Sequence, residues 1–205
     1  GTLLLRDCFE GVCRDNNAIV TERVGGLSFQ FCAGEFFQNN PYILPDLVEF
    51  AVSNAAGSKN LVDAYCGVGM FALSAAKRFE NVAGVEISAK AIECANVNAR
   101  INNIKNCDFL IGKAETIFAD VSQRFDGAET SMIIDPPRAG CDVAFLEQLI
   151  AFAPRKLVYV SCGPDTQARD LAYLTARGYA VKCLQPFDLF PQTRHIENVA
   201  VLEKL

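Results

Sequence analysis

From Lys59 onward, short apolar runs alternate with stretches whose apolar residues recur every three or four positions. The runs at 60–64, 82–86, 107–111, 131–135, 156–160, 180–184 and 198–202 have the length and β-branched content of strands buried on both faces. Between them the spacing predicts helices over 70–79, 89–102, 114–123, 143–152 and 165–177, and Leu44, Leu47, Val48 and Ala51 predict one more over 44–56. Strand–helix alternation with right-handed crossovers gives an α/β fold built on a doubly wound parallel sheet. The last two runs are separated by a loop, 185–194, rich in proline and aromatics, so they are expected as a hairpin-like pair with an antiparallel edge strand. Ahead of this region, β-prone runs at 3–5, 18–23 and 27–32 are punctuated by Asp15-Asn16-Asn17 and Gly25-Gly26. Residues 1–40 are therefore read as a small β-rich appendage, part of a longer N-terminal region, and 41–205 as the main domain.

Composition narrows the setting. A chain of 205 residues with 51% hydrophobic and 21% charged positions is long enough for one substantial core. No apolar run approaches the roughly 18–20 residues needed to cross a bilayer, and Arg6-Asp7 interrupts the first apolar run too early for a signal peptide. The nine cysteines are odd in number, show no C-x-x-C pair and are accompanied by a single histidine, so no metal site is expected. Cys8 and Cys13 would serve as cluster ligands only if another segment supplied the rest. Reduced thiols imply the cytosol, the nucleus or the mitochondrial matrix. A net charge of −5 and a pI of about 5.0 weigh against nucleic-acid binding.

Four constellations carry candidate chemistry. In Leu157-Val158-Tyr159-Val160-Ser161-Cys162-Gly163-Pro164 a buried strand runs into a tight turn with proline in the first turn of a helix, presenting Cys162 at the carboxyl edge of the sheet. The positive end of the helix dipole is expected to lower its pKa; a buried structural cysteine is the alternative. Asp63-Ala64-Tyr65-Cys66-Gly67-Val68-Gly69 supplies glycines after the first main strand, and Glu86 closes the second, placed for a ribose diol. This pattern fits an adenosine-containing cofactor without separating NAD from S-adenosylmethionine, although Asp63 and Tyr65 favour a ligand with a cationic amino-acid tail. In Ile134-Asp135-Pro136-Pro137-Arg138 two prolines hold an extended loop in which Asp135 accepts hydrogen bonds and Arg138 donates them to oxygens of a planar base. Finally, His195 and Glu197, two apart, share a face of a strand; the histidine reads more readily as a hydrogen-bonded edge residue than as a catalyst.

Together these motifs, with Phe36-Phe37-Gln38-x-Asn40 and His195-x-Glu197-x-Val199, resemble the RNA uracil-C5 methyltransferase family. Asp188-Leu189-Phe190-Pro191-Gln192-Thr193 looks most like members that modify the tRNA T-loop uridine at position 54. The resemblance implies a Rossmann-like S-adenosylmethionine-dependent methyltransferase fold with a seven-stranded sheet. It implies Cys162 as the nucleophile that adds to C6 of uracil and Glu197 as the base. Gln38, Tyr65, Gly67, Glu86 and Asp135 match cofactor-binding positions, and Gln38, Asp135 and Arg138 would orient the base. The expected cofactor is S-adenosylmethionine and the expected partner RNA, foremost tRNA, with N-terminal segments outside this chain aiding its capture; no membrane partner is expected. Gly163 departs from the asparagine common in the family. Other readings are a ribosomal RNA uridine C5-methyltransferase, a nicotinamide-dependent oxidoreductase and a non-catalytic RNA-binding domain.

Overall fold

The computed structural model describes residues 5–7, 11–13, 15, 17–38, 40–113 and 118–205, without the side chains of 5–7 and 11–13. The expectations for residues 3, 4, 8, 16 and 114–117, Cys8 among them, lie outside the described residues, as does the side chain of Cys13. Strands β1 (Leu5–Asp7) and β2 (Gly11–Cys13) pair antiparallel, and β3 (Ile19–Val24) pairs with β4 (Leu27–Cys32) in a second hairpin. There follow α1 (Leu44–Ala55), β5 (Asn60–Ala64), α2 (Met70–Ala75), β6 (Asn81–Glu86), α3 (Ala89–Ile101), β7 (Cys107–Ile111), α4 (Phe118–Arg124), β8 (Thr130–Ile134), α5 (Val143–Phe152), β9 (Lys156–Ser161), α6 (Pro164–Thr175), β10 (Tyr179–Phe187) and β11 (Glu197–Lys204). The expected helix over 70–79 is shorter than its pattern: α2 stops at Ala75 and a 3-10 turn, Ala76–Arg78, finishes the segment.

The seven main strands form one sheet in the order β10-β11-β9-β8-β5-β6-β7. Strands β5 to β9 run parallel. Only β11 is reversed, and it is inserted between β9 and β10. The outermost strand on that side is thus β10, antiparallel to its one neighbour. It is longer than the sequence pattern suggests and runs through Gln185, Pro186 and Phe187 into the segment expected as a loop. Pro186 has no N–H to donate, a loss an edge strand tolerates because one side of it pairs with nothing.

Side chains alternate between two cores. Leu61, Ile133, Val158, Val160 and Val199 face α1, α2 and α3, whereas Val62, Met132, Ile134, Leu157, Tyr159 and Ala200 face α4, α5 and α6. That alternation of two apolar sets along each strand is why these runs read as continuously hydrophobic. The β3–β4 hairpin joins the first core through Phe29 and Phe31, each buried side chain contributing about 2 kcal/mol. Its backbone is held as a strand would hold it. The Asn98 amide on α3 accepts from Gln30 N–H (2.7 Å) and donates to Gln30 O (3.0 Å), and Asn102 does the same for Ser28 (2.9 and 2.7 Å). No helix among the described residues is long and apolar enough to cross a membrane.

Candidate active site

The doubly wound topology brings the candidate residues to one edge. Tyr65 follows β5, Glu86 ends β6, Asp135 follows β8 and Cys162 follows β9, all at the carboxyl ends of parallel strands. Glu197 starts β11, and because that strand is reversed its first residue arrives at the same edge. Ser161 pairs with Asn198, so the register carries Cys162 and Glu197 to facing positions one step further on. The strand order reverses direction between β5 and β8, where open α/β sheets bind their ligands.

The glycine loop is shaped by its own backbone. Gly69 caps α2 in the left-handed region (φ 85°), and a Cβ there would lie 2.9 Å from the Phe109 ring. Tyr65 is also left-handed, with φ 65°, a conformation that costs a non-glycine residue on the order of 1 kcal/mol and is common beside ligand sites. Glu86 fastens the loop: Oε2 accepts from Gly67 N–H (3.1 Å) and Oε1 from Ser88 N–H (2.9 Å). Under the loop, Asp63 accepts from Ala72 N–H (2.8 Å) through Oδ2, while its buried Oδ1 has no partner. Burial, with Glu86 nearby, pushes the Asp63 carboxyl up to about 8. Gln38 is buried at the opposite wall, its Oε1 also unpartnered, in a crevice it shares with Phe36, Tyr65, Gly67 and Asp135. Buried polar atoms without partners are rare in folded proteins, and the Gln38 oxygen lies in this crevice. A carboxyl from Asp135, a glycine loop and an unpartnered amide oxygen fit an adenosine-containing ligand.

On the other side of Asp135, the Glu197 carboxylate is 1% exposed and neither oxygen has a partner. Burial pushes it up to about 7, against the pull of Arg138. Burial and the Glu197 charge likewise hold Asp135 well above the usual carboxylate range. The expectation of a lowered Cys162 pKa is not met. Burial and the facing Glu197 raise the thiol, and the nearby Arg138 guanidinium only partly offsets them. The helix dipole is a weak term beside a carboxylate in a half-buried site. Arg138 Nη2 also meets His195 Nδ1 at 2.8 Å, which makes the histidine a hydrogen-bonded neighbour of the arginine.

Three residues near this edge carried no signal in the sequence. Gln167, 1% exposed, donates to the carbonyls of Tyr159 (2.8 Å) and Asn198 (3.2 Å) and accepts from the Asn198 amide (2.6 Å), bracing β9 against β11 just behind Cys162 and Glu197. Thr166 and Asp170 hold the loop that carries Arg138. All three look like the polar face of an ordinary amphipathic helix. Among the described residues no group of three or more His, Cys, Asp or Glu side chains is arranged to hold a metal ion.

The comparisons with known proteins point one way. The family model described as tRNA (Uracil-5-)-methyltransferase matches residues 15–205. A tRNA (uracil(54)-C(5))-methyltransferase of Saccharomyces cerevisiae is 44% identical over 200 residues, covering 91% of this chain and 31% of that protein. The protein of the same name in Schizosaccharomyces pombe is 42% identical over 222 residues, covering all of this chain and 42% of its own length. Among solved structures, the Pyrococcus abyssi tRNA (uracil-54, C5)-methyltransferase in complex with S-adenosyl-L-homocysteine superimposes with a TM-score of 0.78 at 33% identity, covering 90% of this chain and 44% of that one. The chain thus spans less than half the length of each of these relatives.

Proposed function

The chain belongs to the tRNA (uracil-5-)-methyltransferase family, and from that premise we propose that it methylates C5 of a uridine in tRNA, at position 54 of the T-loop, with S-adenosylmethionine as donor. The observation that carries this reading is the placement of Cys162, just past the end of β9, opposite the unpartnered Glu197 that opens β11, at the sheet edge that also carries the glycine loop.

When bound, S-adenosylmethionine supplies a methyl group made electrophilic by its sulfonium; Asp63, Glu86, Gly67, Tyr65 and Gln38 would hold it. The chain's own residues account for the remaining steps. C5 of uracil is a poor nucleophile. The Cys162 thiolate adds to C6, and the electron pair of the C5–C6 double bond moves through C5 toward the O4 oxygen as an enolate. Arg138 and Asp135 orient the ring, and Arg138 offers donors to its oxygens. C5 then takes the methyl group and carries a hydrogen as well. Glu197, deprotonated and buried, removes that hydrogen; the C5–C6 double bond re-forms and the thiolate leaves. The raised carboxyl of Glu197, about 7, makes it a stronger base than a solvated glutamate while leaving it about half ionised at neutral pH. The free thiols among the described cysteines suit a reducing compartment.

Incubation with 5-fluorouridine-substituted tRNA and S-adenosylmethionine tests the reading, because fluorine at C5 cannot leave as a proton and the thioether to C6 persists. A band on a denaturing gel that requires both Cys162 and the cofactor is the expected result. A band retained by Cys162→Ala overturns the assignment of the nucleophile. A band with ribosomal RNA in place of tRNA overturns the substrate and keeps the chemistry.

A further inference from the structure

The segment that follows β8 cannot position itself. Pro136 and Pro137 have no N–H to donate, and the backbone hydrogen bond within the loop runs from Gly140 N–H to Pro137 O (2.8 Å). Yet Arg138, an exposed side chain on this loop that meets His195 Nδ1 at 2.8 Å, is the cation that opposes the rise of the Cys162 thiol. Three residues of α6 hold it from outside, spaced i, i+3 and i+4 on one face of the helix. The Thr166 hydroxyl lies 2.9 Å from the carbonyl oxygen of Arg138. It is equally close to Gly163 O, which also accepts Gln167 N–H in the helix ladder (2.9 Å), so the hydroxyl sits between the Arg138 carbonyl and the turn that carries Cys162. Arg169 Nη2 donates to the carbonyls of Ala139 and Cys141, each at 3.1 Å. Asp170, 1% exposed, accepts from Cys141 N–H (2.8 Å), the Tyr159 hydroxyl (2.8 Å) and Arg169 Nε (2.9 Å). The loop presses directly on the nucleophile turn: a Cβ on Gly163 would come within 3.0 Å of Arg138 O and 2.8 Å of Thr166 Oγ1.

We propose that α6, whose first turn follows Cys162, is also the jig that sets Arg138 on the thiol, and that Thr166 is the positioning residue of the pair, acting through the Arg138 carbonyl. The arrangement couples two motifs distant in sequence, so that the cation and the nucleophile keep a fixed separation when RNA enters. It rests on Cys162 being the nucleophile, and it concerns how that thiol is kept reactive rather than what it attacks. Thr166→Val removes the hydroxyl at nearly constant volume on a partly exposed turn.

The test is the pH dependence of Cys162 alkylation by iodoacetamide between pH 7 and 10, read on the peptide carrying Cys162 by mass spectrometry, with no RNA or cofactor present. Arg138→Ala is expected to slow alkylation at pH 8 about tenfold, the effect of moving a thiol midpoint by about one unit. Thr166→Val is expected to reproduce much of that loss, and Thr166→Ser to restore the native rate. Adding Thr166→Val to Arg138→Ala is expected to change nothing further, because both act through one guanidinium. An undiminished effect of Thr166→Val in the Arg138→Ala background shows that the hydroxyl acts on the turn itself and overturns the proposal. So does a native rate in Thr166→Val alone. Because alkylation needs neither methyl transfer nor tRNA, these outcomes are independent of the fluorouridine result.

Discussion

Replacing Glu197 with glutamine should stabilise the folded protein, and only above acidic pH. The carboxyl is buried, its oxygens are unpartnered, and burial raises it from an ordinary 4.5 to about 7. Its folded value lies above its unfolded one. The native state therefore keeps a proton that the unfolded chain releases between pH 4.5 and 7, and stability falls across that window. A shift of this size is worth about 3 kcal/mol, reached above pH 7 and vanishing toward pH 4.5. The charge of Glu197 also pushes up Asp135, so neutralising it relieves that group in the same direction. A glutamine amide buried without partners carries a cost of its own, but that cost does not depend on pH and cancels in the comparison. Urea unfolding of wild type and Glu197→Gln, from pH 5 to pH 8.5 without cofactor, measures the difference. With a denaturant slope of about 2–3 kcal/mol/M, the variant's midpoint should gain about 1 M relative to wild type as the pH rises. A constant offset across the range would mean that Glu197 ionises as an ordinary surface carboxylate, and the electrostatic account of the site would be wrong.

Other substitutions probe neighbouring contacts. Gln167→Ala leaves the carbonyls of Tyr159 and Asn198 and the Asn198 amide without their partner; a loss of about 1–3 kcal/mol in urea unfolding is expected, and a loss below 0.5 would show the brace to be redundant. Glu86→Ala frees Gly67 N–H and Ser88 N–H, so S-adenosylmethionine binding measured by calorimetry should weaken at least about tenfold, one hydrogen-bonded contact's worth. Gly163→Ala sets a methyl group against a backbone carbonyl, and a drop of about 1–3 kcal/mol in stability together with slower adduct formation on fluorouridine tRNA is expected; native behaviour would show that the loop retreats freely.

Which parts of this architecture are visible in the sequence follows from how far each cause acts along the chain. Runs such as Met132-Ile133-Ile134 and Leu157-Val158-Tyr159-Val160 are apolar because both faces of those strands are covered, and the run alone conveys that. Cys162, Asp135 and Glu86 stand out because sheet topology assigns strand ends to the ligand edge before any side chain is placed. The state of the Cys162 thiol is another matter. The helix that follows it is local and legible, whereas the carboxylate that outweighs the dipole sits 35 positions later and faces it only through β11 pairing. Thr166, Gln167 and Asp170 are hidden for the same reason: their partners lie on other elements, and nothing nearby in sequence marks them as more than solvated polar residues. The length of β10 escapes because Pro186 reads as a strand breaker unless the edge position is already known.

The insertion of β11 between β9 and β10 divides the site between two cooperative units. β10 hydrogen-bonds into the sheet through β11 alone, so it can detach without disturbing β11, but β11 cannot leave β9 unless β10 goes with it. An opening of the whole hairpin would carry Glu197 away and leave Cys162 seated on β9 and α6. The proposed base and the proposed nucleophile then belong to different local unfolding reactions. Amide hydrogen exchange would place β10 below or level with β11 in protection, never above it. Under the proposed mechanism, a protein caught in that partial opening would still form the thioether but fail to resolve it.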